Sequence, residues 1–251
     1  MEFTPFSWYN VHVQVALHST LVSGLVFFNW ELQMDYNTAM SDGVDSWETM
    51  MLLYNSALKE VGTKLEILND EFQHIHQYNP IEHIKSRIKS PESIVKKLKK
   101  RGLDSTIENM REFINDIAGI RVICSFTSDI YRIAEMIRNQ NDIKVISVKD
   151  YIISPKESGY KSFHMIVSVP IYLSDCVVDT KVEIQIRTVA MDFWASLEHK
   201  MNYKINQNDA DEEVIEIRRR LYDCARMVSA LDDEMLAINE KMQDLIENQA
   251  K

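Results

Sequence analysis

Residues 177–187 read VVDTKVEIQIR. Val182, Ile184 and Ile186 alternate with Lys181, Glu183, Gln185 and Arg187. A β-strand with this pattern buries one apolar face and lines up four polar side chains on the other. An acid, an amide and two bases on a rigid strand can form an active-site wall. They can equally be the solvated outer face of a half-buried strand, so the surrounding sequence has to decide.

Working outward, the chain alternates strand and helix signals. Strands are expected at 117–126, 143–148, 162–169 and 177–187. Helices are expected at 90–102, with Ser90 as N-cap, Pro91 in the first turn and Gly102 as the stop, at 128–139, capped by Ser128 or Asp129, and at 190–202. This is a mixed β-sheet flanked by helices, an α/β (α+β) core. Long helices bracket it. Trp47, Met51, Tyr54, Leu58, Val61, Leu65, Leu68 and Phe72 recur at 4-3 spacing, as do Val214, Ile217, Leu221, Cys224, Val228, Leu231, Met235, Ile238, Met242 and Leu245. The first seam suits either its own domain or a partner. The second is expected to serve a shared interface, because its outer half should project beyond a compact core. The domains expected are therefore an extension at 1–46, a core at 47–205 with its N-terminal helix, and an oligomerisation helix at 206–251.

Composition narrows the chemistry. The chain has 251 residues, 45% of them hydrophobic, enough to bury one full core. A formal charge of −10 and a pI near 5.2 argue against a protein that coats nucleic acid non-specifically. Three cysteines without CxxC spacing indicate neither a disulfide framework nor structural zinc, and fit a cytoplasmic protein. Residues 1–46 contain no Lys or Arg, so the basic start of a secretory signal is missing. Residues 11–30 carry no formal charge, but His12, Gln14, His18 and Asn29 interrupt them, and no membrane span is expected. A start at Met34 or Met40 is the reading favoured for this region.

Against this acidic background, residues 85–101 hold eight cations in seventeen positions. On the helix opened by Ser90, the residues Ser93, Lys97 and Lys100 share a face near a positively polarised N-terminus, which suits a polyphosphate. RNA binding is the other candidate, although no aromatic residue interleaves to stack bases. Asp116, in NDIAGIR, leads into a buried strand and needs a cap, a cation or a metal there. Paired with Glu183 it can hold Mg²⁺ beside substrate phosphates; a salt bridge to Arg121 or Arg187 is the alternative. In the loop KESGYKSFH, Gly159 permits a tight turn, Tyr160 can stack on a nucleobase, and Lys156 and Lys161 can meet phosphates.

The segments RIKSPESIVKKLKKRG, NDIAGIRVIC, KESGYKSFH, VEIQIRT and MDFWASLEHKMNYK occur in this order. Together they closely resemble the synthetase domain of RelA/SpoT homologues, most of all the stand-alone small alarmone synthetases. The resemblance runs from about residue 47 to 245. It implies a nucleotidyltransferase-like synthetase fold and transfer of pyrophosphate from ATP to the 3′-hydroxyl of GTP or GDP, giving pppGpp or ppGpp and AMP, with Mg²⁺ as cofactor. By the same resemblance, Arg87 and Arg121 sandwich adenine, and Lys89, Ser93, Lys97 and Lys100 hold the ATP phosphates. Asp116 binds Mg²⁺, and Glu183 bears on the metal or takes the 3′-hydroxyl proton. Tyr160 stacks on guanine, with Lys156, Ser158, His164, Gln185 and Asp192 lining the GTP or GDP site. Several relatives carry Asn in place of Asp192, which leaves the choice between GTP and GDP open. Arg187 is left to orient the carboxylates and Lys181 to be solvated. No His-Asp dipeptide occurs, so no hydrolase activity is expected, and neither is ribosome sensing. Small relatives form homotetramers through terminal helices, so a homotetramer is expected here. The alternatives within the same fold are pyrophosphorylation of tRNA or adenine nucleotides, and a nucleotide or RNA sensor without turnover.

Overall fold

A computed structural model describes residues 46–76, 78–202 and 211–249. The expectations for residues 1–45, including the uncharged stretch at 11–30 and the alternative starts, lie outside the described residues, as does most of the linker at 206–211. In chain order the elements are α1 Trp47–His76, β1 Ile81–Ile88, α2 Pro91–Lys100, α3 Ile107–Phe113, β2 Ala118–Cys124, α4 Thr127–Arg138, β3 Lys144–Asp150, β4 Phe163–Tyr172, β5 Val177–Thr188, α5 Val189–Asn202 and α6 Glu212–Gln249.

The strands form one mixed sheet in the order β1-β2-β5-β4-β3, in which only the β2–β5 pair is parallel. Alternation gives the sheet two unlike faces. Ile120 and Val122, Met165 and Val167, and Val182, Ile184 and Ile186 are all essentially excluded from solvent. Against them pack α1, through Met50, Leu53, Tyr54, Ala57, Leu58, Val61 and Leu65, and α4, through Ile130, Ile133, Ala134 and Ile137. The other face presents the polar residues.

Several local expectations hold and several change. Ser90 caps α2, its hydroxyl accepting from Ser93 N at 3.4 Å, and Gly102 follows the helix end with φ of 71°. Helix α4 begins one residue earlier than expected. Its N-cap is Phe126 rather than Ser128 or Asp129, and the Asp129 carboxylate reaches back to accept the Phe126 N–H at 3.2 Å and the Tyr78 hydroxyl at 2.6 Å. Helix α1 packs on its own domain with a wider face than the 4-3 seam implied, because Met50, Leu53 and Ala57 are buried as well. β1 and α3 had no counterpart in the sequence reading. Lys181 is not simply solvated: its ammonium donates to the carbonyls of Arg111 and Glu112, each at 3.1 Å, at the end of α3.

The C-terminal helix departs from this packing. In α6 only Ala225 and Asp232 are buried among the described residues, while Leu231, Met235, Ile238, Met242 and Leu245 stand 44–62% exposed along one stripe. The outer seam is thus exposed and not packed on the core. No helix among the described residues is long and apolar enough to cross a membrane.

Ile184 is fully buried in a central strand. Ile184→Ala should lower unfolding free energy by about 2–5 kcal/mol. Urea denaturation followed by circular dichroism checks this; a loss under ~1 kcal/mol contradicts the packing described.

Candidate active site

Strand register assembles the polar face. Across the sheet, Arg87 stands opposite Gly119, Gly119 beside Glu183, Glu183 opposite Ile166 and Ile166 opposite Ser147. The neighbouring row runs through Lys85, Arg121, Gln185, His164 and Lys149. Gly119 carries no side chain, and Arg87 lies across that spot, its Cγ 3.7 Å from where a Cβ would stand. These rows floor a cleft of about 680 Å³, within the ordinary range for small-ligand sites.

One end of the cleft is built around Asp116. Lys89 and Lys97 donate to its two carboxylate oxygens at 2.7 and 2.8 Å. These lysines, not Arg121 or Arg187, are its ion-pair partners, which corrects the alternative stated above. Burial alone would raise the Asp116 pKa, but hydrogen bonds and charge from Lys89 and Lys97 outweigh it and the pKa is lowered. Lys89 reaches this position because β1 pairs with β2, its N–H bonding Ile117 O at 2.8 Å.

The other end is aromatic. The loop between β3 and β4 turns at Gly159, with φ of 86°, and closes through the bond from Gly159 N to Lys156 O at 2.8 Å. Lys156 lies 4.7 Å from the Tyr160 ring centroid and Arg187 5.0 Å from it. Arg187 donates to the Tyr160 hydroxyl, which lies 2.9 Å from His164 Nε2. On its other side the imidazole places Nδ1 3.4 Å from Glu183 Oε1. Gln185 also donates to Glu183, at 2.9 Å. Burial would raise the Glu183 pKa; His164 and Gln185 reverse that and lower it.

Between the ends, Asp192 Oδ1 accepts from Arg187 at 3.0 Å and forms an ion pair with Arg121 at 3.1 Å. Asp192 thus lies among arginines, and Arg187 orients Asp192, Tyr160 and Gln185 rather than the carboxylates Asp116 and Glu183. Of the expected residues, Arg87, Lys97, Asp116, Arg121, Lys156, Ser158, Tyr160, His164, Glu183 and Gln185 line the cleft. Lys89 reaches it through Asp116. Ser93 and Lys100 are exposed on α2 and do not line it. Lys161 turns away and donates to Ser229 of α6 at 2.6 Å. The sequence reading did not single out Lys149, Tyr151, Ser196, His199 or Lys200, which also line the cleft. Ser147 and Lys149 alternate along β3, and Ser196, His199 and Lys200 recur at helical spacing on α5; those periods were the available signals.

The residues fit a magnesium ion. Among the described residues no group of three or more His, Cys, Asp or Glu could hold a metal, but magnesium takes one or two carboxylates and completes its shell with water and phosphate oxygens. Asp116 and Glu183 supply two, both held charged, and Asp116 acts electrostatically on Glu183.

Residues 86–208 match the family described as the region found in RelA / SpoT proteins. The chain is 46% identical over 208 residues to the GTP pyrophosphokinase YwaC of Bacillus subtilis, covering 83% of this chain and 95% of that one. Its fold is similar to the crystal structure of small alarmone synthetase 2 from B. subtilis, with a TM-score of 0.69 at 45% identity over 78% of this chain and 98% of that one. It is also similar to small alarmone synthetase 1 of the same organism bound to its product pppGpp, with a TM-score of 0.71 at 34% identity and the same coverage.

Both carboxylates have depressed pKa values, so their pairing stabilises the fold fully above the ordinary carboxylate range, about pH 4–4.5, and is lost as pH falls through the folded-state values. In metal-free protein, carbon-13 NMR should place the Asp116 midpoint below 3.8 and that of Glu183 below 4.5. Midpoints above those values contradict the pairings.

Proposed function

The chain belongs to the RelA/SpoT family, and on that premise we propose that it is a GTP pyrophosphokinase, transferring the β,γ-pyrophosphate of ATP to the 3′-hydroxyl of GTP or GDP to form pppGpp or ppGpp. The observation that carries this reading is the division of one cleft: a charged carboxylate clamped by two lysines at one end, a fixed tyrosine at the other, and Glu183 between them.

Each group has a task that follows from its placement. At the basic end, Arg87 and Arg121 present guanidinium planes for adenine, and Lys89 and Lys97 neutralise the ATP phosphates. Ser93 and Lys100 lie further out on α2 and extend that field toward an entering triphosphate. At the aromatic end, the Tyr160 ring takes guanine, with Lys156, Ser158, His164 and Gln185 around the acceptor and Asp192 behind them through its arginines. The 3′-oxygen attacks the β-phosphorus, the bond from that phosphorus to the α,β-bridging oxygen breaks, and AMP leaves with the bridging oxygen. The 3′-hydroxyl proton passes to Glu183, whose lowered pKa keeps it ionised and ready to accept. Asp116 and Glu183 would hold magnesium, which when bound supplies charge neutralisation at the phosphate oxygens. RNA is not required for this chemistry. Soluble nucleotides and free cysteines at 124, 176 and 224 suit the cytoplasm.

The exposed stripe of α6 is the surface for self-association, and a homotetramer is the proposed assembly. Light scattering at micromolar concentration should give the mass of four chains; a monomer overturns the assembly.

Glu183→Gln should keep the fold and lower kcat for alarmone formation by at least ~10². Tyr160→Ala should raise KM for the guanine nucleotide about tenfold, within the ~1–3 kcal/mol attributed to base–aromatic stacking. Steady-state product formation measured by chromatography checks both. Wild-type turnover by the glutamine variant contradicts the role of Glu183.

A further inference from the structure

Residues 156–162 form a surface loop, yet they carry the tyrosine that defines one end of the cleft. A single-glycine turn does not hold a ring in one position, so something outside the loop must do so. The exposed outer seam of α6 does not meet it, but a neighbouring face of that helix does.

Beyond the main core lies a second, separate apolar cluster, in which Trp194, Ala195 and Ala225 are buried and Tyr160 and Val228 pack against them. It joins the loop, α5 and α6. At Gly159 the backbone approaches α6 so closely that a Cβ would lie 2.6 Å from Ala225 Cβ and 3.3 Å from the Tyr222 ring. Three hydrogen bonds reinforce the contact: Lys161 Nζ to Ser229 Oγ at 2.6 Å, Thr188 Oγ1 to Asp232 at 2.7 Å, and Trp194 Nε1 to Leu221 O at 3.0 Å. Thr188 also accepts the Met191 N–H at 3.1 Å, so the Asp232 bond reaches the start of α5, one turn before Trp194. Leu221, Ala225, Ser229 and Asp232 recur at helical spacing, one face of α6. Of these side chains only Tyr160 and Ala195 line the cleft. Asp232 is buried and among the described residues makes no ion pair; burial raises its carboxyl pKa, against the lowering effects of the Thr188 bond and the Lys161 charge. Such a group is costly for a helix that served only to expose a seam.

We propose that the inner face of α6, through Ala225, Ser229 and Asp232, is a clamp that positions the Tyr160 loop for the guanine nucleotide, so that the C-terminal helix sets acceptor affinity as well as presenting an assembly surface. The three are positioning residues, acting through Lys161, Gly159 and Thr188. The site they serve is the acceptor site of the proposed reaction, and in that respect the inference rests on that reading. The clamp itself is a statement about loop order.

The test compares full-length wild type with Ser229→Ala/Asp232→Ala and with the conservative Ser229→Thr/Asp232→Asn, which keeps both acceptors. Backbone hydrogen exchange, measured without nucleotide, should accelerate at 156–162 in the alanine variant while β4 and β5 stay as in wild type. In steady-state kinetics the same variant should show KM for GTP or GDP raised roughly fivefold or more, the worth of one or two buried hydrogen bonds, with KM for ATP changed less than twofold. The conservative variant should restore both. Unchanged loop exchange overturns the clamp, as does acceleration spread equally over β4 and β5, or an equal rise in both KM values. If wild type forms no pyrophosphorylated product, the functional reading falls while the exchange measurement still decides the clamp.

Discussion

The parallel pairing of β2 with β5 is the constraint on which the rest of the site depends. It sets Gly119 beside Glu183 and Arg121 beside Gln185. Because Asp116 lies just before β2, the same register brings that carboxylate to the edge of the floor on which Glu183 stands. Side-chain direction alternates every residue, so a slip of one position would send Glu183, Gln185 and Arg187 into the α1–α4 core and turn Ile184 and Ile186 outward. Burial of those isoleucines is therefore what holds the chemistry in place. The apolar face fixes the register and the polar face uses it.

Charge is distributed with the same economy. An acidic chain concentrates its cations along β1 and α2, where two of them converge on one carboxylate. At the far end Arg187, only 5% exposed, is shared among Asp192, Tyr160 and Gln185. Arg121 and Arg187 repel one another, and a single Asp192 oxygen paired with both offsets that repulsion. Asp192 thus links the arginine proposed for adenine, through Arg187, to the tyrosine proposed for guanine, so exchanging it for an amide would alter both ends of the cleft.

Much of this was legible in the residues, and the exceptions have physical causes. The alternation in 177–187 marked β5 and its polar row, since a strand buried on one face must show period two. β1 was missed because it is an edge strand on which only Ile81 is fully buried, leaving little alternation to read. Missing β1 hid the pairing of Lys89 with Asp116, which arises only when β1 lies against β2. α3 spans seven residues, too few for a helical period to stand out. The seam of α6 was visible as a stripe. Its inner face was not, because Ala225, Ser229 and Asp232 form no hydrophobic pattern and gain meaning only where Gly159 meets them.

The most direct measurement is acceptor choice by the purified protein. ATP labelled at the γ-phosphate is incubated with magnesium and, separately, with GTP, GDP, unlabelled ATP or tRNA. Label appearing on GTP or GDP as a 3′-pyrophosphate, with AMP released in equal amount and none transferred to ATP or tRNA, is the expected result. Label on tRNA or an adenine nucleotide instead, or no transfer to any acceptor, contradicts the assignment of the Tyr160 end of the cleft to guanine.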